Sequence, residues 1–187
     1  MKNLLLGAVC SFFLFLISCN GGKPAEEAAE TAAKKDTTVA APVPPAEFAD
    51  AKYSDMARNM LAALARGDVA SWVSNFSDNA VYVWNNGDSL AGKAAISEYW
   101  TKRRTQDVDS LTFKNEIYLP VKVNKPQSVE APGIWVLSWY QVTAKYKVSG
   151  KKMTQWMHAD SHYNDSGKID RLILYSDRAL INAAMKK

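Results

Sequence analysis

The chain has 187 residues, of which 48% are hydrophobic and 22% are charged, a composition that supplies one globular domain and excludes a wholly disordered chain or a repeat array. Lys and Arg number 23 against 19 Asp and Glu, and this net charge of +4 is too small to indicate a nucleic-acid partner. The two cysteines, Cys10 and Cys19, cannot build a disulfide framework.

An export signal opens the sequence. Residues 4–18 form an unbroken run of apolar and small side chains after a basic start, and they are too few to span a membrane, which takes about 20 residues. The run ends in Leu16-Ile17-Ser18-Cys19, which resembles the lipobox of bacterial lipoproteins, where the cysteine is acylated and the chain is cut just before it. We expect residues 1–18 to be a lipoprotein signal peptide and Cys19 to carry lipid, which leaves no free thiol for catalysis. The alternative is an ordinary export signal that contains a cysteine by chance.

A linker is expected to follow over residues 19–46. Its large apolar side chains are limited to Val39 and Val43, so it cannot bury enough surface to offset the entropy lost on ordering, and we predict that it is disordered. A coil of this length reaches about 30 Å. Because two acyl chains anchor a protein stably, the domain is expected to be held near a bacterial membrane. The sequence directly after Cys19 contains no acidic cluster, which favours the periplasmic side of the outer membrane over the cell surface.

The globular domain is expected to span residues 47–187 and to begin with helices. Apolar side chains recur at helical spacing over residues 53–64, and Gly67 ends this first helix. Asp68 can cap a second, shorter helix. A third helix follows a short strand and a turn, and one of its faces is marked by Ile96, Tyr99, Trp100 and Arg103.

The second half of the domain changes to the period of β-strands. Residues 111–119 alternate between apolar and polar side chains, and three further strands are predicted over 134–148, 153–163 and 169–176. Tight glycine turns between the last three strands indicate an antiparallel meander. Three helices followed by a bent sheet predict an α+β fold in which the helices cover one face of the sheet.

Four short motifs occur in a specific order along these elements. They are Gly67-Asp68 between the first two helices, Phe76-Ser-Asp78-Asn-Ala80 before the first strand, Gly92-Lys93-Ala-Ala-Ile96 at the third helix, and Asp165-Ser-Gly167-Lys168-Ile169 leading to Tyr175-Ser-Asp177. This order resembles the nuclear transport factor 2-like superfamily, and most closely its SnoaL-like group, which is related to polyketide cyclases and ketosteroid isomerases. The resemblance implies a cone-shaped fold, with a curved sheet wrapped round a pocket that helices close. Members include isomerases, dehydratases, cyclases, epoxide hydrolases and noncatalytic binding modules, so the fold does not decide the function.

Both histidines of the chain lie on one predicted strand. A two-residue turn at Ser149-Gly150 pairs Val148 with Lys151 and places His158 opposite Gln141. Because strand side chains alternate between faces, one face of this hairpin carries Trp135, Leu137, Trp139, Gln141, Trp156, His158, Asp160 and His162.

This row of side chains has two interpretations. In the first, Asp160 orients an imidazole that acts as a general base near neutral pH, so that His158, Asp160 and His162 are the candidate catalytic residues. In the second, the row is the solvated or dimer-facing side of the sheet, and the side of Met157 is the core. The two histidines are about 13 Å apart along the strand, too far to share one zinc ion, and we predict neither a metal nor a cofactor.

The sequence favours a membrane-tethered lipoprotein whose domain binds a small apolar or amphipathic molecule. The rival hypotheses are an acid–base enzyme of the isomerase, dehydratase or cyclase type, and an interaction module that forms a homodimer through the sheet. We expect a small-molecule ligand and a membrane as partners, and no nucleic acid. The candidate ligand-binding residues are Tyr82, Trp84, Tyr99, Trp139 and Trp156; further polar candidates, which match no catalytic motif of the family, are Asn85, Tyr118 and Asp177.

Overall fold

The computed structural model describes residues 42–128 and 130–187. The predicted signal peptide, Cys19 and most of the predicted linker lie outside these residues. In the part of the chain that is described, no helix combines the length and the apolar character that crossing a bilayer requires.

The described residues form four α-helices, one π-helical turn and seven strands. The helices are α1 (Lys52–Arg66), α2 (Val69–Val73), α3 (Lys93–Lys102) and α4 (Arg178–Met185), and the π-helical turn (Arg103–Asp107) directly follows α3. The strands are β1 (Ala46–Phe48), β2 (Phe76–Trp84), β3 (Ser89–Ala91), β4 (Val108–Val123), β5 (Gly133–Tyr146), β6 (Lys152–Tyr163) and β7 (Ile169–Tyr175).

All seven strands belong to one sheet in the order β1-β4-β5-β6-β7-β2-β3. Neighbouring strands are antiparallel except β2 and β7, which are parallel. Helices α1, α2 and α3 pack on one face of the sheet, where their apolar side chains join those of β2, β5, β6 and β7 in one core. The predicted α+β class, with helices on a curved and mainly antiparallel sheet, is confirmed.

Helix α1 shows why the N-terminal segment folds onto the sheet. Its apolar positions recur every three or four residues, so that Ala57, Met60, Leu61 and Leu64 are buried together on one side. Gly67 ends the helix with a positive φ of 82°, a conformation that costs glycine little. Burying each leucine contributes roughly 1.5–3 kcal/mol of stability, which makes this face the main attachment of the helix.

The long strand β4 bends at an irregularity in its pairing with β5. The register shifts between Lys114 and Ile117, and Asn115 has a φ of 54°. An extra residue in one strand increases local twist and reverses the alternation of side chains beyond it. Phe113 before the bulge and Tyr118 after it therefore both point to the helix-covered face.

The hairpin between β5 and β6 corrects the predicted register. Lys145 pairs with Lys152, and residues 147–151 between the two strands form a longer loop in place of the two-residue turn. Ser149 Oγ donates a hydrogen bond to the carbonyl of Ala184, which ties this loop to α4. His158 is consequently opposite Trp139 instead of Gln141, although the residues that share its face are the predicted ones.

Two elements were absent from the sequence-based assignment. Strand β1 begins at Ala46 and pairs with the end of β4 at the edge of the sheet. Helix α4 follows the last strand, and Asp177 caps it by accepting hydrogen bonds from the N–H groups of Ala179 (2.8 Å) and Leu180 (3.3 Å). The structural role of Asp177, one of the polar candidates from the sequence, is therefore to cap this helix.

Candidate functional site

A cavity of about 270 Å³ lies between the concave face of the sheet and the helices. Alternate side chains of the two central strands, β5 and β6, form the floor of this cavity. Even-numbered residues of β5 face it, namely Ser138, Tyr140, Val142, Ala144 and Tyr146, together with odd-numbered residues of β6, namely Met153, Met157, Ala159 and Ser161. This floor is apolar except for two serines and the tyrosine hydroxyls.

Aromatic side chains form one wall of the cavity. Tyr82 of β2 is in contact with Trp84 on the same strand, at 4.8 Å between ring centroids, and Trp84 is 5.2 Å from Tyr99 of α3. Trp100 packs against Trp72 of α2 at 5.3 Å. The rings meet in tilted and edge-to-face arrangements, which aromatic pairs prefer, so the wall is fixed by its own packing.

Helix α4 covers the cavity from the C-terminal side. Arg178, Ile181, Asn182 and Met185 line the cavity, and their spacing of 0, +3, +4 and +7 corresponds to a single face of the helix. The helix is fixed at its start because Asp177 N–H donates to Gln155 Oε1 at 2.8 Å. This C-terminal helix of eight residues therefore forms one side of the cavity.

Two residues that line the cavity have a buried polar atom without a well-aligned hydrogen bond among the described residues: Ser176 Oγ, and Trp100 Nε1, which lies beside the hydroxyl of Tyr82. Such atoms cost about 1–3 kcal/mol when nothing pairs with them. The tyrosine hydroxyls remain protonated, because burial raises the pKa of Tyr82 and of Tyr140 well above the usual value. The cavity thus presents neutral donors to whatever it encloses.

Positive charge also reaches the cavity. Its lining includes Arg103 and Arg178, while the lining residues that the structure describes contain no Asp, Glu, Lys, His or Cys. Arg178 is neutralised by Asp88, whose carboxylate is 2.6 Å from its Nη1 atom. Arg103 has a more distant counter-ion, Asp107, at 3.8 Å. The described lining provides hydrogen-bond donors and a cation but no carboxylate or imidazole base.

The predicted catalytic residues lie on the other face of the sheet. His158, Asp160 and His162 are even-numbered positions of β6, so they point away from the cavity that the odd-numbered positions line. His158 Nε2 is 2.8 Å from Asp160 Oδ1, at an ion-pair distance. Burial raises the pKa of the Asp160 carboxyl, and the neighbouring His158 opposes this rise only in part. The catalytic role of these three residues stays a prediction, and none of them lines the cavity described above.

His162 does not join Asp160. Its Nδ1 atom contacts the Asp170 carboxylate of β7, and its Nε2 atom is 3.0 Å from the carbonyl of Pro132. The ring is also packed against Trp135, at 4.9 Å between centroids. The two histidines therefore pair with different carboxylates, His158 with Asp160 and His162 with Asp170, and do not form one cluster.

The predicted ligand-binding residues divide between the two faces of the sheet. Tyr82, Trp84 and Tyr99 line the cavity, as does the polar candidate Tyr118. Trp139 and Trp156 do not, because they share the outer face with His158; Trp139 stacks on its ring at 4.6 Å, and Trp156 is 53% exposed. Asn85 lies outside the cavity, where its side-chain oxygen accepts from Ser176 N–H at 3.5 Å.

Sequence reasoning missed Arg103 as a site residue and missed the whole contribution of α4. Arg103 had been placed on a helix face with Ile96 and Tyr99, which is the signal that could have identified it. For α4, the signal in the sequence is a helix-capping residue, Asp177, followed by Ile181 and Met185 at helical spacing. Among the described residues no group of three His, Cys, Asp or Glu side chains could hold a metal ion.

A curved, unclosed sheet with helices over a cavity on its concave face defines the cone fold of the nuclear transport factor 2-like class. Residues 57–172 match the family model for the SnoaL-like domain, and the chain belongs to this family. The fold is a cone that binds small-molecule ligands in many of its members. No curated protein sequence matches the chain significantly.

Solved structures with the same fold have low sequence identity to this chain. A provisionally assigned isomerase from Bacillus subtilis is 20% identical with a TM-score of 0.56, and the match covers 71% of this chain and 91% of that one. A provisionally assigned polyketide cyclase from Pseudomonas putida is 16% identical, with a TM-score of 0.58 and coverages of 70% and 96%. An LEH-like epoxide hydrolase from Mycobacterium tuberculosis is 14% identical, with a TM-score of 0.50 and coverages of 70% and 86%. At these identities the likeness establishes the fold alone.

Proposed function

We propose that this protein binds a small apolar or amphipathic molecule in the cavity of its SnoaL-like domain. The observation that carries this proposal is the cavity itself, at about 270 Å³ with an aromatic wall and a buried, unpartnered hydroxyl on the lining residue Ser176. Ligand pockets are concave and mostly apolar, with a few placed polar groups, and this volume is close to the lower end of their range of about 300–1,000 Å³. The described lining offers no general base, which favours binding over acid–base catalysis.

Titration with N-phenyl-1-naphthylamine, a neutral apolar fluorophore, tests the proposal. The mature chain, residues 19–187 with the substitution Cys19→Ser, lacks both the apolar run of residues 4–18 and the lipid, and it retains all described residues. We expect saturable fluorescence enhancement with one site per chain. Ala159→Leu adds three carbons to a side chain on the cavity floor and should abolish the enhancement, whereas Trp139→Phe on the outer face should leave it unchanged. Equal enhancement in both variants would show that the probe binds elsewhere and would overturn the proposal.

Folding of the Ala159→Leu variant has to be checked separately. Overfilling a packed core costs about 1–3 kcal/mol, and Ala159 is only 5% exposed. Circular dichroism and urea unfolding show whether the variant keeps its fold. If Ala159→Leu unfolds, Leu172→Met changes the shape of the same cavity at nearly constant volume and should alter the affinity, again with Trp139→Phe as the control.

We also propose that the domain is tethered to the outer membrane, facing the periplasm, through lipid on Cys19. The support is the lipobox-like sequence at the end of the export signal. Labelling cells with radioactive palmitate should mark the wild-type chain, and Cys10→Ser should remain labelled because that cysteine precedes the cleavage site. Cys19→Ser should lose the label and, because the chain is then no longer cut before residue 19, should migrate as the larger uncleaved precursor. A labelled Cys19→Ser chain would contradict the proposal.

A second candidate function is a homodimeric interaction module. The outer face of the sheet exposes large apolar side chains, with Ile117 at 55%, Trp156 at 53% and Tyr175 at 41%. Such side chains favour association when they are grouped. Light scattering should then give twice the monomer mass for the chain with Cys19→Ser and a monomer after Trp156→Glu, while Val148→Glu in the hairpin loop remains dimeric. A monomeric parent chain at micromolar concentration rejects this candidate.

A further inference from the structure

Arg103 differs from the other arginine of the cavity in how it is neutralised. Arg178 forms a close ion pair with Asp88 and also contacts Asn86. The side chain of Arg103 is only 16% exposed, yet its carboxylate neighbour Asp107 is 3.8 Å away. Its other recorded partners are neutral, namely the sulfur of Met185 at 3.9 Å and the hydroxyl of Tyr146. A guanidinium group has five N–H donors, so part of its donor capacity is not used by these three contacts.

The π-helical turn explains how this side chain reaches the cavity. Arg103 is the first residue of that turn and follows α3 without a break, so it lies one helical turn beyond Tyr99 and Trp100. Its charge is felt by two phenols of the lining: burial raises the pKa of Tyr146 and of Tyr82, and Arg103 opposes the rise in both cases. The positive charge of Arg103 therefore acts on groups inside the cavity.

A second donor accompanies Arg103. Trp100 Nε1 is buried and belongs to a residue that lines the same cavity; its neighbour is the hydroxyl of Tyr82, with which it forms no well-aligned hydrogen bond. An indole nitrogen donates and cannot accept. The cavity thus combines a cation and a poorly paired donor on α3 and its continuation, and the described lining contains no acidic side chain that could satisfy them.

We infer that the ligand is an amphipathic organic anion, with its apolar body against the aromatic wall and its acidic group at Arg103 and Trp100. This inference rests on the proposed function and specifies the chemical class of the ligand. Planar anions such as carboxylates and sulfonates bind guanidinium groups through short, charge-assisted hydrogen bonds. A neutral molecule of the same shape leaves the donors unpaired, and the difference corresponds to about a tenfold change in affinity or more.

Two fluorophores with one shared body test the inference. 8-Anilinonaphthalene-1-sulfonate carries a sulfonate on the same phenylnaphthylamine body as neutral N-phenyl-1-naphthylamine. The mature chain from residue 19 with Cys19→Ser should bind the sulfonate at least tenfold more tightly. Arg103→Gln should remove this preference by weakening the sulfonate about tenfold while leaving the neutral probe unchanged, and Arg103→Lys should restore part of it.

The matched control is Lys102→Gln, which removes one positive charge from the adjacent exposed residue and should change neither affinity. Equal affinities of the parent chain for the two probes, or an equal loss of both in Arg103→Gln, would overturn the inference while leaving the cavity-binding proposal intact. If neither probe binds, the proposed function itself is wrong, and the inference is wrong with it. If Arg103→Gln fails to fold, Arg103→Lys replaces it: this variant retains the charge but loses the planar fork, so the preference for the sulfonate should fall to an intermediate value, and an unchanged preference would overturn the inference.

Discussion

Arg178 lies over the ring of Trp84, with its guanidinium carbon 5.7 Å from the ring centroid, and the same side chain pairs with Asp88 at 2.6 Å. The contact connects the first residue of α4 to the end of β2 and to the turn that follows it. Because α4 also provides one side of the cavity, the enclosure of the site depends on this link between two distant parts of the chain.

Asp88→Asn should loosen α4 without unfolding the domain. Exposed ion pairs contribute little to global stability, so we expect an unchanged urea midpoint but exchange of the amide protons of residues 181–185 that is faster by about a few-fold. Hydrogen exchange followed by mass spectrometry measures this difference. Asp55→Asn is the control, since it removes a pair of similar geometry with Arg58 on α1, at 2.7 Å. Unchanged exchange in Asp88→Asn would show that Arg178 does not hold α4.

Ser176→Ala tests whether a buried hydroxyl of the cavity is unpaired in the absence of ligand. Ser176 Oγ has no partner among the described residues, so its removal should leave the free energy of unfolding unchanged or raise it by about 1 kcal/mol. Ser138→Ala, which changes another hydroxyl of the lining, provides the comparison. A loss of more than about 1 kcal/mol in urea unfolding of Ser176→Ala would mean that the hydroxyl is satisfied in the folded protein.

The parts of the fold that could be predicted are those set by local patterns. The buried side of α1 followed from the spacing of residues such as Met60 and Leu64, and the face shared by His158 and Asp160 followed from strand alternation. Which of the two sheet faces encloses the cavity did not follow, because it depends on where the helices pack. Both faces of β6 carry side chains that suit a pocket, the tryptophan and histidines on one and the methionines on the other.

The register of the β5–β6 hairpin shows a second limit of sequence reasoning. Ser149-Gly150 is a plausible two-residue turn when only the local sequence is considered. The loop is longer because Ser149 is hydrogen-bonded to Ala184, which is 35 residues away and belongs to a helix that the sequence analysis did not include. Long-range contacts of this kind also form the site. Arg103 lines the cavity beside Met185 of α4 and Tyr146 of β5, and neither contact can be read from the local sequence.

Asn115→Val should destabilise the protein through its backbone. Asn115 is exposed and has a φ of 54°, a conformation that asparagine tolerates and a β-branched residue does not. We expect a cost of about 1–2 kcal/mol in urea unfolding. Asn115→Gly is the control and should be nearly neutral, because glycine adopts this conformation readily. Equal stability of the two variants would indicate that the bulge relaxes when the residue is changed.

Asp160→Asn should change how stability depends on pH. Burial holds the pKa of the folded Asp160 carboxyl above its ordinary value of about 3.9. A group of this kind supports the folded state fully below its unfolded pKa, and this support is lost as the pH rises through the folded pKa. The stability of Asp160→Asn relative to the parent chain should therefore increase as the pH is raised from about 3.5 to 7.

Asp109→Asn is the control with the opposite sign. A hydrogen bond from Lys145 lowers the pKa of the exposed Asp109 carboxyl, so that this residue contributes stability above its ordinary pKa and loses the contribution as the pH falls. Its Asn variant should become relatively less stable as the pH rises. Urea unfolding of the three proteins at intervals across this range gives both slopes. If the stability of Asp160→Asn relative to the parent chain instead falls as the pH rises, attraction to His158, at 2.8 Å, outweighs the effect of burial on the pKa of Asp160.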